Sequence, residues 1–242
     1  MKFLLISLIV LLTYQESPKI ENFKSPVILE LFTSQGCSSC PPADELISEI
    51  SEKFATTEVI VLSYHVDYWN YIGWTDPFSK SQFSDKQKAY GWKFNNSSIY
   101  TPQIIVNGKE HFVGSNESTL YTKIRTYSKL ESQNRVLLSN VNRERNFVSF
   151  EYDIEGTIQN KHLEIALVIN ERSTSIPKGE NKNMTLKNSK IVIEQLKVNL
   201  NSTMGKGTIN IPELVNSEDN LSLIILIQNS DLDILGAHQL NL

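Results

Sequence analysis

An apolar run, Val27-Ile28-Leu29-Glu30-Leu31-Phe32, ends in a short polar turn, Thr33 to Gly36. Cys37-Ser38-Ser39-Cys40-Pro41-Pro42 follows at once. This stretch constrains the fold more than any other. The run reads as a mostly buried strand. The next segment reads as a helix that opens near Cys37 and runs to about Phe54. Its apolar positions Ala43, Leu46, Ile47 and Ile50 have helical spacing. Pro41 and Pro42 are compatible with a helix only in its first turn, where a missing N–H costs nothing. The chain has 2 cysteines, and both lie in this motif. A loop this short restrains little chain entropy, so the pair is a poor staple and chemistry is the better reason for it.

The chemistry follows from position. A helix N-terminus presents unpaired N–H groups and the positive end of the helix dipole. A sulfur there is stabilised as the thiolate, which is the form that attacks disulfides. Two cysteines separated by two residues reach one site, so that one attacks and the other resolves the mixed disulfide. Cys37, nearer the helix tip, is expected as the nucleophile and Cys40 as the resolving thiol. Half a zinc site is the other reading of a C-x-x-C, but no second cysteine pair exists to complete it.

Further along, Glu58–Tyr64 reads as a strand and Ser79–Phe94 as a helix, with an aromatic-rich segment between them. Gln103–Val106 and Glu110–Val113 read as strands joined by an Asn107-Gly108 hairpin turn. Asn116–Leu130 reads as a closing helix, capped by Ser115 or Asn116. Strands alternating with helices imply a central mixed sheet with helices on both faces. After Leu130 the pattern changes. Val136–Asn142, Phe147–Ile154, Leu163–Asn170, Lys190–Leu200, Gly207–Ile211, Leu221–Gln228 and Ile234–Leu240 all read as strands, which suggests a β-sandwich. The expected organisation is therefore an α/β unit over residues 18–131 and an all-β unit over 135–242, parted at Glu131–Asn134. Gly179 to Asn183 reads as a polar loop.

A chain of 242 residues is comfortable for two such units. The net charge of −4 and the scatter of Lys and Arg among acids exclude the basic footprint of a nucleic-acid binder. At the start, Lys2 precedes the apolar run Phe3–Leu12, which is too short to span a bilayer as a helix. Residues 1–17 read as a secretory signal peptide, with export to a periplasmic or extracellular location. An uncleaved anchor is the competing reading, because no small-x-small site precedes Pro18.

Three stretches carry a resemblance: Leu29 to Asp44, which contains Gly-Cys-Ser-Ser-Cys-Pro-Pro-Ala-Asp; His65 to Phe78; and Tyr100 to Gly108. Together with the element order they resemble the thioredoxin superfamily. They are most similar to a family of exported bacterial thioredoxin-like proteins catalogued as a domain of unknown function. The likeness is strong over about residues 27–130. Beyond that, Gly179-Glu180-Asn181 and Ile234-Leu235-Gly236-Ala237 are similar to fragments of the same family. The resemblance implies a thioredoxin fold and export, and assigns no substrate. It also implies a cis Thr101–Pro102 bond beside the cysteines, which would leave the Thr101 backbone free to pair with an extended substrate. The chain departs from thioredoxins proper in having Gly36 before Cys37 and Ser38-Ser39 between the cysteines.

Other candidate residues surround this motif. Glu30 interrupts an apolar strand, and thioredoxins place a buried acid on this strand to assist the resolving cysteine. A solvent-facing Glu, or one paired with a Lys, is the plainer reading. His65 and Asp67 follow the second strand, where loops line the crevice of an open α/β sheet. His65 could stabilise the Cys37 thiolate or shuttle a proton, or be satisfied by loop carbonyls. Trp69 could line a substrate groove, whereas most aromatics of its segment read as the loop's own core. His111, His162 and His238 show no metal-ligand spacing and read as surface or loop residues. The leading expectation is an exported thiol–disulfide oxidoreductase acting on protein or small-molecule thiols. It would need no cofactor beyond its own cysteines and would exchange with a partner reductase or oxidase. The rivals are an envelope protein whose two thiols take up a soft metal such as copper(I), and a redox-silent interaction module.

Overall fold

The structure, a computed structural model, describes residues 23–24, 26–96 and 98–242. The signal sequence expected over residues 1–17 lies outside the described residues. The first half runs β1 (Phe23–Lys24), β2 (Val27–Thr33), α1 (Pro41–Lys53), β3 (Val59–His65), α2 (Ser81–Lys93), β4 (Gln103–Val106), β5 (Glu110–Val113) and α3 (Glu117–Tyr127). The second half runs β6 (Glu131–Ser132), β7 (Arg135–Arg143), β8 (Phe147–Glu155), β9 (Lys161–Ser175), β10 (Thr185–Asn199), β11 (Met204–Asn210), β12 (Leu221–Asn229) and β13 (Ile234–Asn241).

One mixed sheet of eight strands has the order β13-β12-β9-β10-β3-β2-β4-β5. β2 and β3 are parallel, in register from Val27↔Val59 to Thr33↔His65. β4 lies antiparallel on the other side of β2. The β4–β5 turn is the expected one, with Asn107 and Gly108 both at positive φ (49° and 70°). β10 joins β3 in parallel at Ile191↔Ser63. The sheet therefore crosses the boundary expected at residues 131–134. The reason is the edge of β3. Every residue of β3 is buried, so an open edge there would leave buried backbone groups without partners.

Side-chain alternation sorts the core into layers. On one face, α1 and α3 cover Val27, Leu29 and Leu31 of β2, Val59 and Val61 of β3, and Ile104 and Val106 of β4. On the other, α2 sets Phe83 and Tyr90 against Ile28, Phe32, Ile60, Leu62 and Tyr64. The same cluster takes in Ala166, Val168 and Ile224 from the second half. The odd-numbered residues of β9 and β12, among them Leu163, Ile165 and Leu167, are instead covered by a second sheet of order β11-β8-β7, through Val136, Val148, Phe150 and Ile209.

β9 and β10 are each longer than the apolar pattern indicates. Their extra pairs run from Glu171↔Ser189 to Ser175↔Thr185. These residues are largely polar, so hydrophobic periodicity gives no signal for them. Next to Lys190, which sits at φ 55°, the hairpin meets α1, where Ser189 Oγ donates to Ser48 Oγ at 3.1 Å.

Candidate active site

α1 begins at Pro41, with Pro42 next and Cys40 in the N-cap position. The helix is expected from sequence to open at Cys37, but that residue lies in the preceding turn. The two prolines account for the shift, because they donate no hydrogen bond and suit the first helical positions. Cys37 and Cys40 are disulfide-bonded, with Cα atoms 5.4 Å apart. Both residues are fully enclosed, whereas Ser38 and Ser39 between them are exposed. The Thr101 hydroxyl donates to Cys37 Sγ at 3.3 Å, and Trp69 Nε1 donates to that hydroxyl at 2.7 Å. Ser39 Oγ donates to the Thr101 carbonyl at 3.4 Å. The Thr101–Pro102 bond is cis. Pro102 lies beside the first turn of α1, since a Cβ on Gly114 would touch Leu31, Pro102 and Ala43 together. Cys37, Cys40, Thr101, Pro102 and Trp69 thus form one site.

Glu30 does not belong to it. Its side chain points to the α2 face of the sheet. There Tyr90 OH donates to it at 2.5 Å, and Lys86 Nζ lies 3.1 Å from its other oxygen. The cause is the period of two: Leu29 and Leu31 face α1, so Glu30 cannot. The acid on the cysteine side is Asp44, one helical turn after Cys40, where Thr33 Oγ1 donates to its carboxylate at 3.2 Å. Burial pushes the Asp44 carboxyl up to about 7, against the opposing effect of His65 and the Thr33 hydrogen bond. A carboxyl that titrates near neutrality is suited to moving a proton.

His65 shares the α1 face with Thr33, its register partner. Its Nδ1 lies 2.7 Å from Asp76 Oδ2, and both side chains are wholly buried. Asp76 also accepts from the backbone N–H of Gln35 at 2.8 Å and of Phe78 at 3.0 Å. Burial alone would lower the His65 pKa, but the Asp76 charge and hydrogen bond outweigh it and hold it above its ordinary value. For Asp76, burial pulls upward and is outweighed by His65, so its carboxyl is held low. Among the described residues, His65 Nε2 has no hydrogen-bond partner. Asp67 is satisfied elsewhere, accepting from the Ser84 hydroxyl at 2.5 Å.

The tip of the β9–β10 hairpin closes the site. The Asn181 amide donates to the carbonyls of Gln35 (2.9 Å) and Cys37 (3.0 Å). Glu180 Oε2 accepts from Ser38 N at 3.2 Å. Gln35 Nε2 donates to Asn188 Oδ1 at 2.9 Å, and Trp74 Nε1 donates to Gln35 Oε1 at 3.2 Å. Asp44, Asp76, Glu180 and Asn181 are therefore site residues that sequence reasoning does not assign. Asp44 stands inside the quoted cysteine motif, and Gly179-Glu180-Asn181 reads from sequence as a polar loop similar to a fragment of the same family, with no role at the cysteines. Of the segment's aromatics, Tyr71 is not loop core, being 82% exposed. His162 is buried, not superficial, with Nε2 3.1 Å from Glu164. No group of three or more His, Cys, Asp or Glu among the described residues is arranged to hold a metal ion.

Fold and site together define a sheet-dominated mixed α/β protein with an enclosed C-x-x-C disulfide at the start of a helix. The chain belongs to the family described as "Protein of unknown function (DUF1223)", which it matches over residues 28–228. Its structure is similar to the crystal structure of protein AGR_C_4864 from Agrobacterium tumefaciens, with 27% identity and a TM-score of 0.64, over 91% of this chain and 95% of that one. It is also similar to HBP35 of Porphyromonas gingivalis, with 15% identity and a TM-score of 0.64, over 91% of this chain and 76% of that one. The second likeness concerns the fold alone. A comparison with curated proteins gave no match.

Proposed function

We propose that this chain is an exported thiol–disulfide oxidoreductase with a thioredoxin-like unit over residues 18–131 and a sandwich-like unit over 135–242. The observation that carries the reading is the Cys37–Cys40 disulfide at the start of α1, with the Thr101 hydroxyl on Cys37 Sγ. A helix start stabilises a thiolate, and the Thr101 hydroxyl offers it a hydrogen bond. In the reduced protein, the Cys37 thiolate attacks one sulfur of a substrate disulfide. A Cys37–substrate disulfide forms and the other substrate sulfur leaves as thiolate. Cys40 then gives its proton to the Asp44 carboxylate and attacks Cys37. The second substrate thiolate leaves, and the Cys37–Cys40 disulfide is restored. Two electrons pass from the cysteine pair to the substrate, and the reverse sequence oxidises a dithiol. The chemistry calls for no cofactor. Substrates are protein or small-molecule thiols and disulfides, and a partner reductase or oxidase resets the pair.

The test is disulfide exchange by the purified protein and two variants. Cys37→Ser is expected to abolish reduction of a protein disulfide such as that of insulin. Cys40→Ser is expected to trap mixed disulfides, because attack survives and resolution does not. Absence of exchange in the wild type, with tight uptake of copper(I), would replace this reading with the metal-binding one.

A further inference from the structure

We infer that Glu180, delivered by the β9–β10 hairpin, is a positioning residue that holds the Ser38 N–H and biases the Cys37–Cys40 pair toward giving up electrons. The inference rests on the redox reading above and adds to it a direction and a residue from the far half of the chain.

The backbone donors around the cysteines are few. Cys37 N is used by the Ser34 carbonyl at 3.1 Å and Cys40 N by the Cys37 carbonyl at 3.2 Å. Pro41 and Pro42 have no N–H at all. The Ser38 N–H is thus one of the few donors left near a thiolate at position 37, and Glu180 Oε2 occupies it at 3.2 Å. Glu180 does not arrive there by chance fluctuation of a surface side chain. Its neighbour Asn181 is 3% exposed and ties the hairpin to the cysteine turn through the Gln35 and Cys37 carbonyls. Gly179, at φ 80°, brings the same loop against Trp74, within 3.2 Å of where a Cβ would lie.

A carboxylate at this place acts in two ways. It removes a hydrogen bond that would stabilise the Cys37 thiolate, and it adds a negative charge beside it. Both effects raise the energy of the thiolate while the disulfide, which is neutral, is little affected. The reduced state is therefore less favoured, and the pair is a better electron donor. Titratable groups on the elements that frame the pair include Asp44 on α1, held by Thr33, and the His65–Asp76 pair, whose carboxylate accepts from Gln35 N, with Lys178 and Lys182 flanking Glu180 in sequence. Glu180→Gln leaves all of these in place, keeps an acceptor for Ser38 N–H and removes only the charge.

The experiment compares full-length wild type, E180Q and E180A by two readouts: the thiolate absorbance of the chemically reduced protein against pH, and the redox equilibrium with a reference dithiol. In E180Q the reactive thiol is expected to titrate at lower pH. The equilibrium is expected to move about tenfold toward the reduced form, which for a two-electron couple is about 30 mV. Added salt should shrink the difference, since Glu180 is exposed. E180A is expected to move in the same direction. Identical titration and equilibrium in wild type and E180Q, or a shift the other way, would overturn the inference, because a purely structural clasp would survive the loss of charge. The thiol titration uses chemical reductant alone. It therefore decides the role of Glu180 even if the wild type exchanges with no protein disulfide, a result that would count against the proposed function instead.

Discussion

Asp44→Asn should stabilise the oxidised protein, and by an amount that grows with pH. The Asp44 carboxyl is fully buried and titrates at about 7, against 3.8 for an unhindered one. Between those values the folded state holds a proton that the unfolded state releases, so stability falls as pH rises from about 4 to about 7. Integrated over that interval, the cost at pH 7 is about 4 kcal/mol, and at pH 5 about 2 kcal/mol. Asparagine has the same shape, still accepts from Thr33 Oγ1 and carries no charge at either pH. Urea unfolding of wild type and variant at pH 5 and pH 7 should therefore give a stability difference larger by about 2 kcal/mol at the higher pH. A difference independent of pH, or one that favours the wild type more at pH 7, would refute the buried-acid argument. The same variant should slow resolution of the mixed disulfide, because Cys40 loses its proton acceptor. In the proposed mechanism this destabilising acid accepts the Cys40 proton, in keeping with the tendency of perturbed groups to cluster at functional sites.

Two further substitutions probe the frame around the site. Asp76→Asn should cost about 3–5 kcal/mol at about pH 5, where His65 is protonated and loses its buried counter-charge, and less as pH rises and His65 gives up its proton; a urea midpoint shift at about pH 5 worth less than about 1 kcal/mol, the value of an exposed pair, would argue against a charged pair. Gly108→Ala should cost more than about 1 kcal/mol by thermal or urea unfolding, since φ is 70° and the new Cβ would lie 1.9 Å from the Leu232 carbonyl; an unchanged midpoint would mean that the β4–β5 turn is not pressed against the β12–β13 connection.

Much of the local structure can be read from residue order, because it depends on neighbours along the chain. The buried strand before the cysteines, the prolines that start α1, the Asn107-Gly108 turn and the Asn116 cap, whose side chain accepts from Thr119 N at 3.0 Å, are short-range features with short-range causes. The closeness of two cysteines three positions apart is another. The join between the halves is not legible in this way. β10 meets β3 at a single register point, Ile191↔Ser63, and no pattern within either strand names the other as its neighbour.

The site divides along the same line. The sequence determined that Cys37 and Cys40 share one turn and that a carboxylate and a histidine lie nearby in the chain. Which carboxylate lies on the cysteine side was decided by the face of the sheet: Glu30 turns to Lys86 and Tyr90 on α2, and Asp44 lies in the first turn of α1 against Thr33. Tertiary structure alone brought Asp76 onto His65, 11 residues away across a loop, and Asn181 onto the Cys37 carbonyl, 144 residues away. Polar contacts of this kind leave no periodic trace in a sequence, because they depend on where two backbones come to rest and not on how either one is patterned.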